Sequence, residues 1–274
     1  MKFVYKFKAM STPCELIIYE AQKAKADSVA ESVVVEVKRL EKKYNYYDEN
    51  SYLSLINSRS ESKLDSESKS LLTRAKQYYK ATDGIFDITI ATLKELYRDE
   101  RLLDELNKKK EQLLEFVGCE HFSIKKDKIF FDNEFTKIDL GGFVKEYAVD
   151  RSVNIIKKAK IKSALINYGG DIYAIGKKPD GNSFKIGIKD PNNPQENIEF
   201  IELENQALTT SASYERSYTI EEKELSHIIS KGNFNSSVKS VSIRSVNCVE
   251  SGVYSTALMI NPKLQHSNRA IILF

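Results

Sequence analysis

The chain has 274 residues, of which 41% are hydrophobic and 30% charged, proportions typical of a globular protein that can bury a sizeable core. Its 42 basic and 39 acidic residues give a net charge of +3, and the lysines are spread along the chain, which argues against a nucleic-acid partner. No apolar stretch approaches the ~18 residues that a membrane span needs, so the sequence predicts no membrane span.

Cysteine usage and the first residues predict a cytoplasmic location. Cys14, Cys119 and Cys248 lie far apart without a CxxC pair, which argues against a zinc site or a disulfide framework. The first twenty residues alternate like a strand and lack the continuous apolar run of a signal peptide.

The first part of the chain is predicted to hold two strands and then three helices. The strands lie at 2–8 and 13–20, and the helices at 21–47, 66–82 and 89–118. In the first helix apolar residues recur at spacings of three and four, which is the pattern of an amphipathic helix.

The second part is predicted to be richer in strands. Short strands cover 121–138, a helix covers 143–159, a last helix starts near Val249, and the chain ends in a strand at 269–274. Further strands are predicted at 163–168, 171–175, 184–188, 198–203, 206–210, 214–220, 226–229 and 240–244. Because helices and strands come in clusters, we expect an α+β fold of mainly antiparallel sheets with flanking helices.

The segment IDLGGFVKEYAVD, residues 138–150, has the form strand, two glycines, helix. Glycines let a ligand approach the backbone, and a helix N-terminus offers amide donors to a phosphate. A purely structural turn is the alternative. A second pair, Gly169 and Gly170 before Asp171, is either a tight bend or a ligand contact.

Other polar residues have two interpretations each. Asp87 either caps a helix or accepts hydrogen bonds from a ligand, and capping is favoured by chemistry alone. Thr210 and Ser211 either bind phosphate or form a turn. A lone histidine such as His227 is more often structural than catalytic. Since GxSxG, HExxH and P-loop motifs are absent, the residues alone predict a glycine-lined phosphate or nucleotide site.

Six segments in order, from Met10 to Leu258, resemble the FAD:protein FMN transferase (ApbE) family. AMST is similar to the family's Met-Gly-Thr segment, with Ser11 in place of glycine. TDGIFD resembles TDGAFD, DLGGFVKEYAVD resembles DLGGIAKGYAVD, and NYGGDI resembles NLGGDI. The last two matches are TTSAS followed by LSHII, and STALM. YNYYDENSYLSLIN, residues 44–57, also follows the family pattern.

The resemblance implies a function. Such enzymes bind FAD and transfer its FMN half to a Thr or Ser of a redox flavoprotein, releasing AMP, with a divalent metal, usually magnesium, on the pyrophosphate. It further implies one domain over 1–274 with the FAD cleft between two lobes. The alternatives are an FAD-binding protein that has lost metal-dependent transfer and an enzyme that hydrolyses FAD to FMN and AMP.

The resemblance also assigns residues. The residues that would line the FAD site are Met10, Tyr47, Ile85, Phe86, Asp87, Asp139, Lys145 and Ile229. The carbonyl of Gly142 and the hydroxyl of Thr256 would approach the metal, and His227 would help deprotonate the acceptor hydroxyl.

Several positions depart from the family pattern, and the largest departure concerns the metal. The family has an aspartate ligand four residues before the threonine, on the same helix face, where this chain has Gly252. Magnesium prefers carboxylate oxygens, so the missing carboxylate is expected to weaken magnesium binding, and Gly252→Asp is expected to raise the affinity. Glu146, which replaces a family glycine, and Glu250, which lies off that face, are the acids that could substitute.

The other departures from the family pattern lie, like Gly252, around the pyrophosphate and acceptor end of the expected site. Ala212 replaces the glycine of the TSG segment, and Ser230 and Lys231 replace the Asp-Pro of HIIDP.

Overall fold

The computed structural model describes residues 1–99, 102–193, 195–213, 217–221, 223–226, 229, 231 and 237–274. The strands in these ranges are β1 (Lys2–Ala9), β2 (Thr12–Tyr19), β3 (Phe122–Lys125), β4 (Lys128–Phe131), β5 (Ala164–Tyr168), β6 (Asp171–Ile175), β7 (Phe184–Lys189), β8 (Asn197–Leu203), β9 (Gln206–Ala212), β10 (Ser217–Ile220), β11 (Lys223–Ser226), β12 (Ser240–Ser245) and β13 (Arg269–Leu273).

The helices are α1 (Lys23–Tyr44), α2 (Tyr52–Asn57), α3 (Ser66–Ala81), α4 (Ala91–Asp99), α5 (Leu103–Leu113), α6 (Gly141–Lys158) and α7 (Cys248–Ile260), with short 3₁₀ turns at Ile88–Ile90, Leu114–Phe116 and Cys119–His121. None of the helices in the described ranges combines the length and the apolarity that a membrane crossing requires.

One large sheet carries the fold. Its seven strands run in the order β1-β2-β5-β6-β9-β12-β13, and every neighbouring pair is antiparallel. Three hairpins, β3-β4, β7-β8 and β10-β11, stand outside it. The predicted α+β class with mainly antiparallel sheets and flanking helices is therefore confirmed.

The large sheet is covered on both faces, as alternation along β6 shows. Tyr173 and Ile175 join the core that contains α1 and α6, whereas Ile172 and Ala174 join the core beneath the β7-β8 hairpin. Successive side chains of a strand point to opposite faces, so the helices and the hairpin lie on opposite sides of the sheet.

Helices α6 and α7 are joined by a cap that the sequence analysis missed. Asp150 of α6 accepts hydrogen bonds from the backbone N–H groups of Cys248 (2.8 Å) and Val249 (3.2 Å) at the start of α7. Asn247 accepts another from the N–H of Glu250 at 2.9 Å. A carboxylate here satisfies orphan amides and is favoured by the helix dipole, so it fixes α7 against α6.

The first helix ends at Tyr44 and not at 47, and two other helix predictions needed correction. The stretch 89–118 is not one helix: a 3₁₀ turn precedes α4, and α5 starts separately at Leu103. Helix α2 was not predicted, because its six residues are too few to show a period. Helix α6 includes Gly141 and Gly142, but Gly142 has non-helical angles (φ −89°, ψ 20°), so the regular helix starts at the predicted residue 143.

The second glycine pair forms a tight turn. Gly169 (φ 60°) and Gly170 (φ 95°) connect β5 to β6 in the left-handed region. A Cβ on Gly169 would lie 2.0 Å from Thr12 Oγ1, so only glycine fits there. The tight-bend interpretation is correct, and the turn starts β6 at Asp171.

Charged side chains connect α1, α3 and α6 at one edge. Arg39 of α1 contacts Glu67 of α3 at 2.7 Å, Lys43 contacts Glu67 at 2.8 Å, and Arg151 of α6 contacts Glu36 at 2.8 Å. Burial alone would raise the pKa of Glu67, but Arg39 and Lys43 lower this pKa to about 2.

Glu67→Gln should therefore destabilise the protein in a pH-dependent manner. A depressed folded-state pKa contributes stability above the unfolded-state pKa, and that contribution disappears as the pH falls through about 2. We expect a loss of about 1–3 kcal/mol at pH 7, the range for hydrogen bonds to charged groups. Urea unfolding of both proteins at pH 7 and pH 3 measures it; an equal difference at the two pH values would contradict this assignment.

Candidate functional site

A cavity of about 730 Å³ opens between the end of α1, the segment 85–91, the start of α6, strand β9 and helix α7. Both the first and the second half of the chain contribute to its walls. A second depression of about 620 Å³, around Lys69 and Arg74, contains none of the predicted site residues.

The cavity brings together the predicted site residues that the structure describes. Its walls include Met10, Tyr47, Ile85, Phe86, Asp87, Asp139, Gly142, Lys145, Ile229 and Thr256. Asp87 and Asp139 thus share one site, although their roles as FAD contacts stay a prediction. The predicted catalytic residue His227 lies outside the described residues, as does Ser230.

Asp87 does two things at once. Its Oδ1 caps the 3₁₀ turn by accepting hydrogen bonds from the Thr89 backbone N–H (2.8 Å) and hydroxyl (2.6 Å). Its Oδ2 is buried and has no hydrogen-bond partner among the described residues. Burial raises the pKa of this carboxyl. The capping interpretation is correct for one oxygen, and the other remains available to a ligand donor.

Asp139 already has protein partners. Its Oδ1 accepts from the N–H of Gly141 at 2.9 Å, and its Oδ2 contacts Lys94 Nζ at 2.5 Å. The Lys94 ammonium lies 4.8 Å from the ring centre of Tyr46 and 4.6 Å from that of Tyr47. Lys94 also lines the cavity, and the sequence analysis did not identify it because a single lysine on a charged helix carries no local signal.

Lys145 is held by a carboxylate from the main sheet. Its Nζ lies 2.6 Å from Oδ2 of Asp171, whose side chain is 1% exposed. Burial alone would lower the pKa of Lys145, but Asp171 raises it above its ordinary value. The glycine turn thus places Asp171 at the cavity wall, a role that the NYGGDI segment did not reveal by itself.

Glu146, the residue after Lys145, is buried and only 5% exposed. Burial, and then the nearby Asp171 charge, raise the pKa of Glu146 well above its ordinary value. Its Oε2 is buried and lacks a hydrogen-bond partner among the described residues. A Cβ built on Gly252 of α7 would lie 2.5 Å from Glu146 Cγ, so the Glu146 side chain fills the space above Gly252.

Hydroxyl groups line the β9 and α7 side. Thr210 and Ser211 belong to β9 and not to a turn, which excludes the turn interpretation. Thr210 Oγ1 lies 2.8 Å from the Ser242 hydroxyl. Ser211 Oγ lies 2.8 Å from the Ser255 hydroxyl and 3.4 Å from that of Thr256, so strand and helix present one polar surface to the cavity.

The oxygen atoms here fit a magnesium ion better than a transition metal. Among the described residues no group of three or more His, Cys, Asp or Glu could hold a metal. The cavity does offer the Glu146 carboxylate with an unpartnered oxygen, the Thr256 hydroxyl and the Gly142 backbone. Magnesium is typically held by one or two carboxylates together with substrate phosphates and water, and this set offers one such carboxyl group.

Comparison with known proteins supports the resemblance. The model of the ApbE family matches residues 10–269. A Vibrio cholerae protein named FAD:protein FMN transferase is 27% identical over 263 residues, covering 89% of this chain and 77% of the relative. A Buchnera aphidicola protein of the same name is 26% identical over 236 residues, covering 80% of this chain and 69% of the relative.

A solved structure agrees over almost the whole chain. The crystal structure of the ApbE protein from Thermotoga maritima superimposes with a TM-score of 0.86 at 28% identity, covering 95% of this chain and 87% of that chain. The flanking helices and the seven-stranded sheet therefore belong to an architecture already known from experiment.

Proposed function

Since the chain belongs to the ApbE family, we propose that it is an FAD:protein FMN transferase, which moves FMN from FAD to a Thr or Ser hydroxyl of a redox flavoprotein. One observation carries the proposal: a single cavity is lined by at least one described residue from each of the family-like segments, from Met10 to Thr256. Its volume of about 730 Å³ suits a dinucleotide that lies partly in the opening. The chain 1–274 then acts as one domain with FAD in this cleft.

The transfer balances as a phosphoryl substitution. The acceptor hydroxyl oxygen forms a bond to the phosphorus of the FMN half, and the bond from that phosphorus to the bridging oxygen breaks. AMP leaves with the bridging oxygen, and the hydroxyl proton passes to a base, for which His227 is our candidate. Positioning and charge neutralisation supply most of the acceleration in such reactions.

The chain's own residues provide the positioning. The free Oδ2 of Asp87 accepts a hydrogen bond from an FAD ring donor, because a buried carboxylate oxygen without a partner needs one. Lys94, held by Asp139, and Lys145, held by Asp171, place two ammonium groups at the cavity wall. Both attract the anionic pyrophosphate, and their carboxylate partners keep them in place.

A divalent cation at the pyrophosphate would be held by the Gly142 carbonyl, the Thr256 hydroxyl and a carboxylate. When bound, it would neutralise charge on the phosphate oxygens.

The proposal is tested by incubating the protein with FAD, magnesium chloride and an acceptor flavoprotein produced without its flavin. We expect free AMP in solution and an acceptor band that keeps its flavin fluorescence in a denaturing gel. The amount of AMP should equal the amount of covalently bound flavin. AMP without acceptor would identify an FAD hydrolase. FAD binding without AMP would identify a binding protein that has lost transfer.

A matched pair of variants connects the result to this cavity. Asp87→Asn replaces the free carboxylate oxygen and should weaken FAD binding by about 5- to 150-fold, equivalent to about 1–3 kcal/mol. Asp83→Asn makes the same chemical change at an exposed turn four residues earlier and should leave FAD binding as in the wild type. Equal FAD affinities of the two variants would refute a ligand role for Asp87.

A further inference from the structure

At the contact between α6 and α7, one side chain occupies the space beside a glycine of the other helix. Gly252 of α7 has no side chain, and Glu146 of α6 occupies the volume that one would fill: a Cβ on Gly252 would lie 2.5 Å from Glu146 Cγ and 2.9 Å from its Oε1. The Glu146 carboxyl group therefore stands where a short acidic side chain from α7 would place its own.

The protein compensates this carboxyl group only in part. The side chain is 5% exposed, and its Oε2 has no hydrogen-bond partner among the described residues. The adjacent Lys145 is already paired with Asp171 at 2.6 Å. Asp150, one turn further along α6, is occupied by the amides of α7. Burying a carboxyl group with an unpartnered oxygen is costly, and a cation bound at that oxygen would offset the cost.

Further oxygen donors line the same cavity. Thr256 lies one helical turn after Gly252 on α7, and so on the face that Glu146 covers. Gly142, one turn before Glu146, borders open space, since nothing lies within 4 Å of a Cβ built there. Carboxylate, hydroxyl and carbonyl oxygens are the ligands that magnesium and manganese prefer.

We infer that Glu146 is the carboxylate ligand of a divalent cation in this protein, delivered from α6 in place of an acidic residue on α7. The inference rests on the proposed function, because FAD's pyrophosphate supplies the remaining anionic oxygens. The departures from the family pattern at 252 and at 146 are then two parts of one change, in which the carboxylate ligand comes from α6 and not from α7.

Glu250 is the rival acid and also the matched control. It lies on α7 two residues before Gly252, it is half-buried, and it does not line the cavity. Its Oε1 accepts a hydrogen bond from Asn268 Nδ2 at 3.5 Å. A glutamate-to-glutamine change at 250 therefore removes the same charge from the same region without touching the cavity.

The test measures Mn²⁺ binding by electron paramagnetic resonance of the free ion, on the full chain with and without FAD. Wild type should bind Mn²⁺ more tightly when FAD is present. Glu146→Gln should lower that affinity at least ~10-fold while still binding FAD in EDTA, and Glu250→Gln should match wild type. FAD affinity is read separately from quenching of flavin fluorescence.

A double variant keeps the test decisive if Glu146→Gln folds poorly. Glu146→Gly together with Gly252→Asp clears the space and returns a carboxylate from α7, so it should regain Mn²⁺ binding that Glu146→Gly alone lacks. Unchanged Mn²⁺ affinity in Glu146→Gln, or loss of it in Glu250→Gln instead, overturns the inference. FAD binding without any Mn²⁺ binding by wild type overturns this inference alone, whereas absence of FAD binding overturns the proposed function as well.

Discussion

Gly252→Asp should lower the free energy of unfolding by about 3 kcal/mol or more, without raising the affinity for a divalent cation. The new Cβ would lie 2.5 Å from Glu146 Cγ, which is not the far end of that side chain, so the whole Glu146 side chain must shift to accommodate it. Two buried carboxylates would also repel each other. The sequence-based expectation that this variant restores magnesium binding is thereby reversed, because the space is already occupied.

Two alanine variants isolate the steric part of this effect. Gly252→Ala adds only the overlapping Cβ, whereas Gly142→Ala adds a Cβ that has nothing within 4 Å. Urea unfolding should show a clear loss for Gly252→Ala and a small change for Gly142→Ala. In a Glu146→Gly background Gly252→Ala should become tolerable. If Gly252→Ala is as stable as wild type, Glu146 does not fill this space.

Asp171→Ala should cost about 3–5 kcal/mol of stability, the range for breaking a buried ion pair by removing one partner. Asp171 is 1% exposed and lies 2.6 Å from Lys145. Without it the largely buried Lys145 ammonium loses its ion-pair partner. FAD binding should weaken as well, since Lys145 loses the contact that positions it at the cavity wall.

The matched control is an exposed ion pair in the same sheet. Glu15 of β2 lies 3.5 Å from Lys6 of β1, with the two side chains 37% and 76% exposed. Glu15→Ala should change stability by about 1 kcal/mol or less, as for most surface pairs. Thermal unfolding of both variants gives the comparison. Removing both charges, with Lys145→Met added to Asp171→Ala, should recover part of the loss; no recovery would contradict the ion-pair explanation.

Local patterns in the sequence predicted the architecture and much of the cavity wall. The apolar spacing of α1 and the alternation of β1 and β2 are dictated by short-range geometry, so periodicity detects them. Asp87 and Asp139 could be placed in one site because each stands in a segment whose residues resemble a known family. That resemblance extends over residues far apart in the chain, which elementary pattern analysis does not connect.

Contacts between distant elements could not be predicted in the same way. Lys94 looks like any lysine on a charged helix, and only the packing of α4 beside Asp139 and Tyr47 turns it into a cavity residue. The relation between Glu146 and Gly252 is likewise invisible along the chain, because it depends on how closely α6 approaches α7. In the sequence, Glu146 and Gly252 are two separate departures from the family pattern. Only the packing of the helices shows that side chains at these two positions would occupy the same volume.

The approach of α6 to α7, fixed by the Asp150 cap, couples two positions that lie far apart in the chain. A Cβ at 252 would lie 2.5 Å from Glu146 Cγ, so the cost of a side chain at 252 depends on the residue at 146. Substitutions at these two positions are therefore expected to be non-additive, and each position limits the set of residues that the other can accept.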